Sequence, residues 1–390
     1  MGDTPSYLNY PQNILRGEIN PSRTPIYPYF IKLSTLLIGD PIHGTIVFQT
    51  ILSLATIVVF YLISLRLFKS PVTARVTTLF FSCNPSLASW DKCILTESLS
   101  ITLIVLMLWQ VILLVDQPGI KRMIMITFLV LLSIFTRPSF VLLIPVFIVF
   151  WFILFGLKKL DQRLLVIGLF SQLFIGICIL LYSFGNSQQN GYFSLSNIPI
   201  GNVVRILAEN NLHQHGNDQE ITNILESYLN GEPTEKTIYD LPNHRVYQFV
   251  KTAILNQPGK FSLICFKKLF ILNSSTFSVH FAQQKSHAAG YLVPRLFLAL
   301  TSLPFYMIHL ALVIGLIWFI RQFKTQSINT FFSFVSLFVF QQLVMIYLAA
   351  PSEYFRLFVP AIPAALLMCG FLVERYILPK NFIEENPKVR

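Results

Sequence analysis

Charge is what this sequence has least of. Only 12% of its 390 residues are Asp, Glu, Lys or Arg, about half the share of a soluble globular domain. So few charges amid so much apolar surface exclude a disordered chain and argue against a water-soluble enzyme. The interiors of the long apolar runs contain His309 and no Asp, Glu, Lys or Arg. Ion pumps and proton-coupled transporters place ionisable groups at mid-membrane, so that class is disfavoured; His309 reads as an interhelical hydrogen-bonding residue. Cysteine is also sparse. Cys83, Cys93, Cys178, Cys265 and Cys369 fit no metal or redox spacing and read as small core residues, although Cys93 and Cys265 share a face and could pair. No internal repeat or low-complexity tract is visible, and the expectation from residues 1–44 is that no signal peptide is present.

Apolar surface is abundant. Hydrophobic residues make up 54%, Phe alone numbers 36, and the mean hydropathy is +0.62. Nine apolar runs stand out: 45–68, 76–90, 97–115, 123–135, 139–157, 164–184, 295–320, 328–350 and 357–378. A hydrocarbon core of ~30 Å takes ~20 helical residues, so 76–90 and 123–135 must borrow flanking residues or tilt. The expected fold is an all-α polytopic membrane protein with about nine transmembrane helices.

Lysine and arginine set the orientation. Arg66, Lys69, Arg75, Lys121, Arg122, Lys158, Lys159, Arg163, Arg321, Lys324, Arg375, Lys380, Lys388 and Arg390 fall on one set of connections, and the alternate short loops hold only Lys92, Arg137 and Arg356. The basic side is cytoplasmic, and the net charge of +11 is a topology signal, not a nucleic-acid surface. The expected organisation is a first outer loop at 1–44, transmembrane helices 1–6 at 45–184, an outer soluble domain at 185–294, helices 7–9 at 295–378, and a cytoplasmic tail at 379–390. The location is the cell (inner or plasma) membrane, multi-pass, with the large loop outside. The polar segment 1–44 has no span before it to carry it across, and the expectation is that one N-terminal helix is missing.

Within the first loop, 6–15 suits a short helix on the membrane and 29–38 an interfacial helix. In the large loop, 201–212, 219–230 and 244–256 read as helices. Residues 260–272 form an apolar stretch edged by Lys260, Lys267 and Lys268. Asn273-Ser274-Ser275 is a glycosylation sequon.

Chemistry concentrates on the outer face. Asp3 is a candidate general base, needing only to reach a substrate hydroxyl; the alternative is a solvated residue or helix cap. Glu97, in Thr96-Glu97-Ser98, opens a span. There the dipole favours its charge, and it could equally bind a metal or orient an acceptor. Arg137 and Arg356 sit at outer turns, where each could snorkel to lipid or clamp a phosphate with its guanidinium fork. Two arginines and two carboxylates on one face suit a site acting on a phosphorylated lipid. His213-Gln214-His215 could bind metal but lacks a clear third ligand.

Those residues, in that order, resemble the integral-membrane glycosyltransferases of the GT-C superfamily, specifically the bacterial protein-mannosyltransferase-like group related to the lipid A aminoarabinose transferase. The pattern runs Asp3, Tyr7-Leu8, Leu15-Arg16-Gly17, Arg23-Thr24-Pro25-Ile26-Tyr27-Pro28, Asn84-Pro85, Thr96-Glu97-Ser98, Thr136-Arg137-Pro138, Asn256-Gln257-Pro258, and Glu353 with Arg356. That family has a transmembrane helix before its first-loop Asp, where this chain departs from it. The resemblance implies sugar transfer, with inversion, from a polyprenyl-phosphate donor to a lipid, glycan or protein acceptor. Asp3 would be the catalytic base and Glu97 the second catalytic acid. Tyr7, Arg23 and Tyr27 would lie in the substrate-binding loop. The donor phosphate would be met by Arg137, Arg356, Lys267 or Lys268; no cofactor is certain, and a divalent cation is an option for the same task. The alternatives are a lipid-linked saccharide flippase, which needs a polar route the spans do not offer, and a noncatalytic relative whose large loop binds a partner.

Overall fold

The computed structural model describes residues 4–10, 16–84, 87, 91, 93–191, 193–231, 238, 241–270, 317, 330–349 and 358–376. These residues form helices and no strands. In chain order the helices are α1 (Thr4–Leu8), α2 (Ile26–Ile38), α3 (Pro41–Leu67), α4 (Pro71–Ser82), α5 (Glu97–Asp116), α6 (Ile120–Thr136), α7 (Leu143–Gly156), α8 (Gln162–Asn190), α9 (Ile198–Glu209), α10 (Gln219–Asn230), α11 (Asn243–Asn256), α12 (Pro258–Phe270), α13 (Thr330–Ala349) and α14 (Ile362–Tyr376). Short 3₁₀ turns at Pro138–Leu142 and Val359–Ala361 lead into α7 and α14.

Five stretches are long and apolar enough to cross a membrane: Pro41–Leu67, Glu97–Asp116, Pro138–Gly156, Gln162–Asn190 and Val359–Tyr376. The chain is a multi-pass all-α membrane protein. The run at 76–90 departs from expectation. Its helix, α4, starts earlier at Pro71 and ends at Ser82, because Asn84-Pro85 disfavours helical backbone. Its 12 residues rise ~18 Å, short of the hydrocarbon core. Apart from Ile317, the run at 295–320, with His309, lies outside the described residues, as does the sequon at Asn273. Cys93 and Cys265 are both buried and neither is in a disulfide, so the pair is not formed.

Helix starts follow local chemistry. Asp40 caps α3 by accepting from the Ile42 and His43 amides, with Pro41 at the first position; Ser70-Pro71 and Asp161 do the same for α4 and α8. α5 forms the centre of the bundle: 72% of its span is buried, against 22% for α3 and for α8. A helix apolar all round belongs inside, and Ile104, Val105, Met107, Leu108, Val111 and Leu114 are all fully enclosed.

At the basic end, Arg66 Nε on α3 pairs with Asp116 Oδ2 on α5 at 2.6 Å. Further along, Thr56 Oγ1 donates to Thr102 Oγ1 at 2.9 Å and Ser53 stands 3.5 Å from Ser98. Ser53 is thus level with the first turn of α5. The dozen residues of α3 before it rise ~18 Å beyond that level. α2 packs along this extension, with Ser34 Oγ 3.0 Å from Thr45 Oγ1. A Cβ on Gly44 would lie 3.0 Å from the Ser34 carbonyl oxygen, a tight contact, so the small residue lets the two backbones approach closely. The α2–α3 pair forms a wall beside the start of α5.

Residues 198–270 build a second cluster around Val204, Leu207, Leu212, Ile221, Leu225, Phe249 and Ala253. α10 and α11 cover the expected 219–230 and 244–256, while α9 stops at Glu209, short of the expected 212, and α12 covers most of 260–272. The chain before α2 is tied to the far end of α8: Gln189 accepts from the Ile19 amide at 2.7 Å, and Asn190 donates to the Ile19 carbonyl at 2.8 Å.

Candidate functional site

The polar groups of the bundle gather where α5 begins, α6 ends and the first loop folds back. Arg137 follows α6 in extended backbone (φ −142°, ψ 115°), the conformation that a following proline imposes. Its side chain turns inward, and Nη2 stands 3.5 Å from Glu97 Oε1. The side chains are 7% and 0% exposed, so Arg137 does not snorkel to lipid. Thr96 does not cap α5 through its side chain. It already has helical backbone (φ −70°, ψ −10°), whereas a capping residue is extended. Glu97 therefore answers to Arg137 as well as to the helix terminus.

The first loop supplies a second group. Arg23 donates through Nε to Ser6 Oγ at 3.0 Å and through Nη1 to the Tyr7 hydroxyl at 3.1 Å. Its guanidinium also lies 4.4 Å from the Tyr7 ring centroid, and Tyr7 meets the edge of Tyr27 at 5.0 Å. The structure thus brings Tyr7, Arg23 and Tyr27 together. Thr24 fastens them to the Arg137 turn by donating to the Thr136 carbonyl at 3.2 Å. Tyr27 is fully buried and within electrostatic reach of Glu97.

Three residues of this region, Gln49, Ser53 and Asp91, were not singled out from sequence. Gln49 accepts from the Tyr27 hydroxyl at 2.7 Å and donates to the carbonyls of Cys93 at 2.9 Å and Asp91 at 3.3 Å. Asp91 Oδ1 accepts from Ser53 and Ser98, each at 2.7 Å. Partial burial pushes the Asp91 carboxyl above its ordinary pKa, and the two serine hydroxyls oppose that shift. A usable signal was Gln49 itself, an amide inside an apolar run.

Other expected site residues are not joined to this cluster. Lys267 is exposed on α12, and among the described residues no hydrogen bond or ion pair links it to Glu97 or Arg137. Asp3, Arg356 and the side chain of Lys268 lie outside the described residues. His213 is buried in the 198–270 cluster. Among the described residues no group of three His, Cys, Asp or Glu is arranged to hold a metal ion.

Residues 22–182 match the family model of the dolichyl-phosphate-mannose-protein mannosyltransferases. Over that stretch, the resemblance to the GT-C glycosyltransferases holds. The matched segment runs from beside Arg23 through α8, and it includes Tyr27, Gln49, Asp91, Glu97 and Arg137. The mannosyltransferase-like segment therefore contains the buried ion pair and the wall that flanks it. No curated protein matches the chain significantly.

Proposed function

We propose that the protein transfers a sugar from a polyprenyl-phosphate donor to an acceptor hydroxyl or amine at the outer face of the membrane. The observation that carries this reading is the buried Glu97–Arg137 pair, set within the mannosyltransferase-like segment beside the Tyr7–Arg23–Tyr27 group. In the proposed step the acceptor oxygen or nitrogen attacks the anomeric carbon, and its proton passes to Asp3. The glycosidic C–O bond breaks with inversion, and the lipid phosphate departs with the bonding electrons. Charge then grows on the phosphate, and a guanidinium held nearby meets it without reorganisation. Arg137 takes this role, with Glu97 compensating and orienting it until the donor arrives. Arg23, held against Ser6 and Tyr7, orients the loop that covers the sugar. Arg356, Lys267 and Lys268 are further candidates for contact with the phosphate. Lipid tails lie against the exposed apolar side chains of α3 and α8, such as Leu54, Val58, Phe170 and Leu173.

The test is transfer of radiolabelled sugar from a panel of polyprenyl-phosphate sugars by the purified chain in lipid. Arg137→Lys keeps the charge and removes the fork; a loss of ~10²–10³ in rate is expected, the size typical of one missing oxyanion donor. Labelled donor that crosses the bilayer without yielding product overturns transfer in favour of a flippase.

A further inference from the structure

Two carboxylates stand at the start of α5, and they are held differently. Glu97 is sealed from solvent against Arg137. Asp91 is only partly buried, and its two oxygens are unequal. Oδ1 takes both serine hydroxyls, from Ser53 on α3 and Ser98 on α5. Oδ2 takes no hydrogen bond from any described residue. The loop carrying it is fixed by Gln49, which donates to the backbone oxygens of Asp91 and Cys93. One oxygen is thus anchored at two points, from α3 and from α5, and the other receives no hydrogen bond from the described residues.

We infer that Asp91 Oδ2 is a substrate-contacting acceptor that receives a hydroxyl of the bound sugar; this rests on the transfer reading above. An ionised carboxylate only accepts hydrogen bonds, so its complement is a donor such as a sugar hydroxyl. A phosphate is repelled by it and drawn to a guanidinium. Asp91 and Arg137 therefore give the site a polarity, with the sugar end of the donor toward Asp91 and the phosphate end toward Arg137. The serines hold Oδ1, so Oδ2 is aimed before the sugar arrives, which lowers the ordering cost of binding. A partly desolvated carboxylate also forms a stronger bond to an incoming hydroxyl than one in water.

Asp91→Asn separates this role from a purely structural one. The Asn oxygen can still accept from Ser53 and Ser98, while the outward atom becomes a donor. Binding of polyprenyl-phosphate mannose, glucose, N-acetylglucosamine and aminoarabinose is measured on the full chain in lipid nanodiscs, with sugar-free polyprenyl phosphate as the control. For the sugar-lipid that the wild type prefers, D91N is expected to bind ~10–100-fold more weakly, the loss of one hydrogen bond to a charged group. The sugar-free lipid should bind both proteins alike. D91N matching the wild type, or weakening both lipids equally, overturns the inference and leaves the transfer reading standing. A wild type that binds none of the lipids overturns both. A second readout needs no variant: carbodiimide modification of wild-type carboxyls, mapped by mass spectrometry. Asp91 should react while Glu97 does not, and the preferred sugar-lipid should slow the Asp91 reaction severalfold more than the sugar-free lipid does. An Asp91 that is unreactive, or that the sugar leaves unprotected, overturns the inference.

Discussion

Arg137 and Glu97 lie 40 positions apart in sequence and meet at 3.5 Å with almost no exposure to solvent. Removing one partner leaves a charge stranded in a low-dielectric site, at a cost of ~3–5 kcal/mol, whereas replacing both with apolar groups is often neutral. Glu97→Gln and Arg137→Met should each lower thermal stability markedly. The double variant should recover much of the loss, giving a coupling energy well above the ~0.5 kcal/mol of independent sites. Additive losses in thermal unfolding would show that the pair contributes no interaction energy.

Tyr27 and Gln49 offer a smaller, sharper test. The Tyr27 hydroxyl donates to a buried amide oxygen, so Tyr27→Phe removes that bond at a cost of ~0.5–1.5 kcal/mol. Gln49→Leu should cost more, because it also removes the side-chain amide that donates to both the Cys93 and Asp91 carbonyls. If the order of the two melting temperatures is reversed, the amide is not what fixes the 91–96 turn.

Much of the helix layout was legible in the sequence. Asp218 and Gly231 bracket α10 with a cap at each end, so its limits at 219–230 needed no tertiary information. Glu97 and Arg137 were each legible as residues at helix ends, but their pairing was not. It depends on how α5 packs on α6, and a single arginine at a turn looks the same whether it faces lipid or a carboxylate. Asp91 was hidden for a related reason. Its partners Ser53 and Ser98 come from two different helices, and serines in apolar runs usually bond their own backbone, as Ser100 does with the Thr96 carbonyl at 2.7 Å.

The wall beside the site depends on Gly44. A Cβ there meets the Ser34 carbonyl oxygen at 3.0 Å and Ile38 Cβ at 3.3 Å. Gly44→Val adds two more methyl groups to that contact and should prise α2 from α3 at a cost of ~1–3 kcal/mol. Cysteines placed at 34 and 45, whose hydroxyls now touch, would report the separation. Oxidative cross-linking should be efficient when Gly44 is kept and weak in the Gly44→Val background; equal yields would place the hairpin's stability elsewhere.

The cluster at 198–270 makes a prediction about acid. Arg245 donates through Nε and Nη2 to the two oxygens of Asp218 at 2.9 and 3.0 Å, and through Nη2 to Glu220 at 3.0 Å. Burial acts to raise the Asp218 pKa. It is outweighed by the hydrogen bonds from Arg245 and from the Ile221 and Glu220 amides, so the carboxyl is held below its ordinary range. A carboxyl whose folded pKa is depressed binds its proton more readily when unfolded. Its stabilisation is therefore complete above the ordinary carboxylate pKa of ~3.9 and is lost as pH falls through the lowered value. The amides of α10, which Asp218 caps, should keep their hydrogen-exchange protection at pH 5 and lose it only in stronger acid. Arg245→Met removes the largest stabilising contact and should move that loss to higher pH. Asp218→Asn keeps the cap but abolishes the titration, so protection in α10 should become flat across the same range. A pH profile unchanged in both variants would assign the acid sensitivity of α10 to a group other than Asp218.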